Sequence, residues 1–62
     1  MKFYFEYRNY RGHVTGYSDD LDWTDYKNIS ERAYRVIDRI EEIWTVIAHD
    51  VETDEELGRW GM

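Results

Sequence analysis

The chain has no cysteine and no proline, only four glycines and two histidines, and no long apolar run. Without cysteine it can form neither a disulfide nor a cysteine metal site, and its composition is compatible with the cytosol. No stretch approaches the roughly 20 apolar residues that span a bilayer. Met1 and Lys2 lead directly into an aromatic alternation rather than an apolar signal segment. We therefore expect a cytoplasmic protein without a membrane span or signal peptide.

Residue patterns that support catalysis or metal binding are equally scarce. His13 and His49 lie on separate predicted strands and have no recognised metal-ligand spacing. The acidic run from Asp50 to Glu56 lacks the glycine turn of an EF-hand calcium loop. There is no glycine-rich phosphate loop and no serine in a strained glycine elbow. Because so short a chain also has little volume for a substrate pocket, we predict a non-enzymatic protein that binds no metal and no cofactor.

A length of 62 residues limits the chain to a single domain, residues 1–62. A chain this short buries only about 60% of the surface that it exposes when unfolded, so a monomer has little stability to spare. Without disulfides or metal sites, the remaining sources of stability are aromatic packing, a partner or self-association. Three Trp, six Tyr and two Phe residues provide the first and favour the second. The size of the chain, with an apolar helix stripe that widens through Ile37 and Trp44, predicts a dimer or higher oligomer.

Alternation of aromatic and polar residues at the start of the chain predicts a half-buried strand. Gly12 supplies the positive φ of a turn, after which residues 13–18 form the returning strand of a hairpin. Gly16 weakens this second strand and indicates a bulge. The aromatic side chains that share one face of the first strand are Phe3, Phe5 and Tyr7.

Apolar residues at steps of three and four predict one amphipathic helix of about five turns. Thr24 is its expected N-cap, with Asp25 next where the helix dipole favours an anion, and Ser30 is an alternative cap. Residues 44–49 predict a third strand, with Trp44 in the core, and residues 51–62 form a turn with a short fourth strand or a tail. The fold class is therefore α+β in the order ββαβ, with one helix packed on a small sheet that contains antiparallel pairs. The apolar helix positions are Tyr26, Ile29, Ala33, Val36, Ile37, Ile40 and Ile43.

The charge of the chain is dominated by one sign, with 14 acidic and 8 basic residues and a net charge of −6. Such a field repels nucleic-acid phosphates and anionic membranes, so we expect neither as a direct partner. The complementary partner is a basic protein surface, and such surfaces commonly bind nucleic acid. In the alternative interpretation the acids serve solubility alone. They form a first cluster of Asp19, Asp20, Asp22 and Asp25 and a second cluster of Asp50, Glu52, Asp54, Glu55 and Glu56.

Aromatic residues flank the first acidic cluster, because residues 17–26 read Tyr-Ser-Asp-Asp-Leu-Asp-Trp-Thr-Asp-Tyr. This segment resembles the strand–helix junction of the small uracil-DNA glycosylase inhibitors of phi29-like Bacillus phages. In that family an aromatic residue, a leucine and an apolar residue precede a Ser/Thr-Asp-aromatic helix start. Chain length, acidic balance and ββαβ order are similar too, although Lys27 stands where the family carries an acid. The residues that fit the order are Tyr17, Leu21, Trp23, Thr24, Asp25 and Tyr26.

The resemblance implies a phage-encoded homodimer that mimics DNA and occupies the DNA-binding face of uracil-DNA glycosylase in the host cell cytoplasm. In that family acidic groups take the place of phosphates, and an apolar cleft between the helices, which Tyr26 would help to line, receives a loop side chain of the enzyme. One alternative is an inhibitor of another nucleic-acid-binding defence protein, such as a CRISPR effector or a restriction enzyme. Another is a small structural or assembly subunit. The predicted partner-binding residues are Tyr17, Asp19, Asp20, Asp22, Trp23, Asp25 and Tyr26.

Overall fold

A computed structural model of the chain describes residues 1–22 and 25–61, in which one helix packs on a five-stranded antiparallel sheet. The α+β class and the ββαβ order are confirmed. Residues 51–62, for which the sequence allowed either a short strand or a tail, contain a further strand. No helix of the described residues is long and apolar enough to cross a membrane. The elements are β1 (Lys2–Arg8), β2 (Val14–Tyr17), β3 (Leu21–Asp22), α1 (Tyr26–Arg39), β4 (Thr45–Asp50) and β5 (Glu56–Gly61).

Strand β1 lies inside the sheet, with β4 on one side and both β2 and β3 on the other, while β5 pairs with the far side of β4. In the β1–β2 turn the Asn9 side chain accepts hydrogen bonds from the backbone N–H groups of Arg11 and His13 at 3.0 and 3.1 Å. Gly12 supplies the expected positive φ, at 79°. The register between the two strands shifts beside Gly16, where the sequence predicted a bulge.

The hydrophobic core lies between α1 and the sheet face that β1 presents to it. Phe3 and Phe5 of β1 meet Ile29 and Ala33 of α1, and all four side chains are almost completely buried. Burial of a large apolar side chain contributes roughly 1.5 to 3 kcal/mol, so these few residues dominate the stability of the layer. The core is completed by Ile43, Val46, Ala48 and Trp60.

The N-cap of the helix is Asp25, and not Thr24 or Ser30 as the sequence predicted. Asp25 has extended backbone angles, and its carboxylate accepts a hydrogen bond from the N–H of Asn28 at 2.7 Å. A carboxylate suits this position because it satisfies a free N–H and also interacts favourably with the positive end of the helix dipole. Ser30 lies within the second turn of α1. Thr24 lies outside the described residues.

The helix also ends before the apolar spacing does. Ile40 is the C-cap, with an extended φ of −115°, and Ile43 lies beyond the helix although it is buried in the core. The apolar spacing in the sequence extends past the end of the helix because the connecting turn returns Ile43 to the same core. The prediction of Trp44 as a core residue is wrong, since 43% of its surface is exposed. Its backbone N–H donates to the carbonyl of Arg8 at 2.9 Å, and Arg8 is the last residue of β1. Trp44 is therefore level with the end of the sheet, and its side chain lies beyond the final core layer.

Candidate functional site

Asp19, Asp20 and Asp22 of the first acidic cluster lie on a chain segment that runs along the outer edge of β1 and bulges outward. Strand β2 ends at Tyr17 and β3 begins at Leu21, and both pair with β1. Between the two paired stretches, the edge segment contains one residue more than the part of β1 that faces it. Asp19 and Asp20 fall in this bulge and are exposed, while Leu21 packs against the core. A charged bulge also protects a sheet edge from pairing with other strands.

Ser18 closes the gap that the bulge leaves in the ladder of backbone hydrogen bonds. Its N–H donates to the carbonyl of Phe5 at 2.9 Å, and its hydroxyl accepts from the N–H of Phe5 at 2.8 Å. The same hydroxyl donates to the carbonyl of Asp19 at 2.8 Å. Because the side chain replaces the missing strand carbonyl, Phe5 keeps a partner for its N–H group. The bulge therefore belongs to the folded structure, and the local sequence positions its carboxylates.

The second acidic cluster reaches the same end of the sheet from the other side of β1. Asp22 pairs with Lys2 on one edge of β1, and the N–H of Val51 donates to the carbonyl of Lys2 at 3.1 Å on the other. Neighbouring strands are about 4.8 Å apart, so the two flanking chains are separated by about 10 Å. The acidic residues around Asp22 and those that follow Asp50 thus flank the start of β1. We call this region the acidic end.

Two carboxylates of the second cluster stabilise the turn that connects β4 to β5. Asp50 is buried and accepts hydrogen bonds from the backbone N–H groups of Glu52 and Thr53 at 2.8 and 3.2 Å. Asp54 has a left-handed φ of 60° and accepts a hydrogen bond from the hydroxyl of Tyr4 at 2.9 Å. These two side chains have structural roles within the chain.

The other carboxylates of the acidic end differ in what they already bind. Glu56 forms an ion pair with Arg59 at 2.7 Å, and this hydrogen bond lowers the pKa of Glu56. Asp25 caps α1. The remaining carboxylates are exposed and pair with no basic side chain of the described residues, so their charge is available to a partner. They are Asp19, Asp20, Asp22, Glu52 and Glu55.

The sheet face opposite α1, here called the open face, carries a buried polar cluster. Glu6 is 8% exposed, receives a hydrogen bond from Arg8, and lies 3.0 Å from Nε2 of His49. Burial raises the pKa of Glu6, but the hydrogen bonds and charges of Arg8 and His49 outweigh it, and the net pKa is lowered. Ile47, only 1% exposed, lies on this face apart from the helix-side core. Nδ1 of His49 is buried and has no hydrogen-bond partner among the described residues.

Aromatic side chains connect the two acidic clusters across the open face. Tyr17, adjoining the first cluster, is 61% exposed and meets Tyr4 edge-on with 6.0 Å between ring centroids. Tyr4 stacks on His49 at 5.1 Å and donates its hydroxyl to Asp54 of the second cluster. That hydrogen bond raises the pKa of Tyr4. The surface therefore places exposed aromatic area between two groups of carboxylates.

The structure does not bring all the predicted partner-binding residues to one surface. Tyr26 lies on the helix side of the sheet, 56% exposed, with its ring 5.7 Å from that of Trp60. Both rings pack over Gly58, where an added Cβ would lie 2.8 Å from Trp60 and 3.2 Å from Tyr26. Tyr17 lies on the open face, so the two tyrosines lie on opposite sides of the sheet. Trp23 lies outside the described residues.

Several residues of the site region were missed by the sequence analysis. The alternation along β1 placed Tyr4 and Glu6 on the face away from the core, but their partners His49 and Asp54 come from a distant strand and turn. Only the register of β1 against β4 brings them together.

Comparisons of the chain with known protein families, with curated proteins and with solved structures find no match.

The buried Glu6 cluster predicts a specific dependence of stability on pH. Glu6→Gln should lower the free energy of unfolding at neutral pH by about 1 to 3 kcal/mol, because buried partners lose a charged acceptor. The folded-state pKa of Glu6 lies below its ordinary 4.5, so the charged form stabilises the fold above that pH. This contribution is lost as the pH falls through the lowered value. Urea midpoints of the wild type and of Glu6→Gln should therefore converge in acid.

The matched control for this measurement is Glu56→Gln, which removes a carboxylate from an exposed ion pair with Arg59. Exposed pairs contribute little to stability, so this variant should unfold close to the wild type at neutral pH. A difference between the wild type and Glu6→Gln that stays constant down to about pH 3 would contradict the assigned role of the Glu6 charge.

Proposed function

We propose that the protein is a non-enzymatic inhibitor that mimics DNA and binds the basic DNA-binding face of a host uracil-DNA glycosylase. The observation that supports this most directly is the acidic end, where two clusters distant in sequence flank β1. Charge without a basic partner inside the chain favours a basic partner outside it. The resemblance of residues 17–26 to the inhibitor family points to the same target.

The dimensions of the acidic end fit this proposal. The backbone segments that carry the two groups of carboxylates are separated by two strand spacings, about 10 Å. The grooves of B-DNA that phosphates border are about 6 and 12 Å wide, so the two segments are spaced on the same scale. An enzyme surface that binds phosphates on both sides of a groove could therefore bind both groups of carboxylates.

The mechanism is competition for the DNA-binding face. Exposed carboxylates accelerate encounter with a basic groove, and tyrosine side chains provide much of the contact energy in protein interfaces. Tyr17 is the exposed aromatic residue closest in sequence to the bulge that carries Asp19 and Asp20. Uracil-containing DNA would then survive in the cytoplasm of the host cell. A CRISPR effector or a restriction enzyme would present a similar basic groove, and the same end would suit it.

Charge reversal at the bulge is expected to weaken inhibition. Asp19→Lys with Asp20→Lys should slow association with the glycosylase about tenfold or more at low salt, because the steering field is reduced. The difference from the wild type should shrink as salt is raised. Stopped-flow association rates and uracil-excision assays, each over a range of salt, measure this.

Two further variants with the same change in charge complete the test: the first should also slow association because it lies in the acidic end, and the second is the control. Glu52→Lys with Glu55→Lys alters the second cluster without removing the hydrogen bonds of Asp50 and Asp54. Glu41→Lys with Glu42→Lys alters the opposite end of β1. If all three double variants slow association equally, net charge and not the acidic end determines binding. If the wild type at micromolar concentration leaves uracil excision fully active, the glycosylase is not the target. Binding to a partner that does not weaken as salt rises would indicate an apolar assembly contact and would favour the subunit alternative.

Tyr26 tests whether the helix side also contributes to the interface. If it lines a cleft that receives a side chain of the enzyme, Tyr26→Ala should weaken binding by about thirtyfold, or roughly 2 kcal/mol. Because Tyr26 is more than half exposed, the melting temperature should change little. Tyr34→Ala is the control, since Tyr34 is equally exposed on the same helix. A loss of stability in proportion to the loss of binding would instead assign Tyr26 to packing on Trp60.

We also propose that the protein is a homodimer. Ile37 packs against the core and Trp44 lies beyond the helix, so the wider stripe predicted from sequence is not a free helix face. The proposal rests on the small size of the chain and on β5, which forms one edge of the sheet. Sedimentation equilibrium at micromolar concentration should give twice the 7.7 kDa chain mass. A stable species at 7.7 kDa throughout that range would rule out the dimer.

A further inference from the structure

Exposed aromatic side chains lie at the end of β1 opposite the acidic end. Trp44 precedes β4, Tyr10 lies in the β1–β2 turn, and their ring centroids are 6.0 Å apart. Both side chains are exposed, as is the neighbouring Ile40 at the end of α1. The seven residues of β1 separate this region from the acidic end by about 20 Å. We call it the Trp44 end.

The Trp44 backbone is held firmly although its side chain is exposed. Its N–H donates to the carbonyl of Arg8, and the backbone of Gly61 lies against its carbonyl oxygen. Gly61 has a φ of 98°, and an added Cβ would overlap that oxygen, so only glycine allows this close approach. The indole is thus presented to solvent by a fixed backbone, which limits the conformational entropy that Trp44 itself would lose when a partner binds it.

A groove of about 740 Å³ lies on one side of Trp44. Ile37, Ile43 and the indole provide apolar walls, and Gly61 leaves room beside them. A groove of this volume and lining accepts a large aliphatic side chain. The charged residues that line it are Asp38, Glu41 and Arg39.

A second groove of about 360 Å³ lies on the other side of Trp44. Tyr10 and Trp44 line it together with Glu41 and Glu42, each of which carries a carboxylate. Neither carboxylate forms an ion pair with a basic side chain of the described residues. Two aromatic rings and two carboxylates form the environment that binds an organic cation, through cation–π attraction and charge pairing. The chain's own Arg11 already places its guanidinium 5.4 Å from the centre of the Tyr10 ring.

We propose that the Trp44 end binds a segment of a partner protein in which an Arg or Lys side chain adjoins a large aliphatic one. The cation enters the groove of Glu41 and Glu42, the aliphatic side chain enters the groove of Ile37 and Ile43, and the indole of Trp44 contacts both. Carboxylates at both grooves would repel nucleic acid, and two copies joined by their Trp44 ends would bring the Glu41 and Glu42 carboxylates of each against those of the other. The proposal does not depend on the function of the acidic end.

Three blocked peptides of equal length test this inference. The probe contains Arg-Leu-Arg-Leu between Gly and Ser residues, and the controls replace both Arg by Glu or both Leu by Ser. Only the probe should bind measurably in calorimetry, and it should shift the NMR signal of the Trp44 indole N–H. Trp44→Ala should weaken that binding about tenfold or more, as expected for the loss of a central aromatic contact.

Surface variants keep the test independent of folding. Glu41→Lys with Glu42→Lys should abolish binding of the probe, whereas Asp19→Lys with Asp20→Lys, an equal change of charge at the acidic end, should leave it intact. Trp44→Ala should still inhibit the glycosylase if the proposed function is correct, so the two proposals can fail separately. Equal binding of all three peptides, shifts confined to the acidic end, or full binding by the Glu41 and Glu42 variant would overturn the inference.

Discussion

Strand β1 is paired along both edges, and its side chains serve two layers of different chemistry. Phe3 and Phe5 enter the core beneath α1, whereas Glu6 is buried on the open face with Arg8 and His49. Because side chains alternate with a period of two, a slip of one residue against β4 would exchange the layers. It would place a carboxylate in the apolar core without its partners and both phenylalanines on the open face. Both layers therefore select the same register.

That register also creates the acidic end. Asp22 and Asp50 are separated by 28 positions and come together only because β3 and β4 pair with opposite edges of β1 at its first residues. The bulge at Asp19 and Asp20 adds to it, because Ser18 lets the edge segment leave the ladder without losing a hydrogen bond. The charge pattern is thus a consequence of strand pairing and not of the local sequence alone.

Local patterns predicted those parts of the structure that local physics determines. The spacing of Ile29 and Ala33 identified the buried helix face, because a helix repeats over a few residues. The N-cap was misplaced by one position, since Thr and Asp both cap helices well. Trp44 was wrongly assigned to the core, because the spacing of apolar residues cannot show whether the chain beyond the end of a helix still packs against the core. The open face could not be predicted, since His49 meets Glu6 across 43 positions.

Five carboxylates of the acidic end pair with no basic side chain of the described residues, and their like charges bear on the stability of the fold. Like charges a few ångströms apart in water repel each other by about 1 kcal/mol or less per pair, and salt reduces this further. In a domain with little stability to spare, repulsion of this size opposes folding wherever two of these carboxylates come that close. A basic partner would reverse the sign of that interaction, because its cations attract every carboxylate that the fold has forced together. Binding of such a partner would therefore be coupled to folding, because a ligand that binds only the folded state stabilises it by mass action.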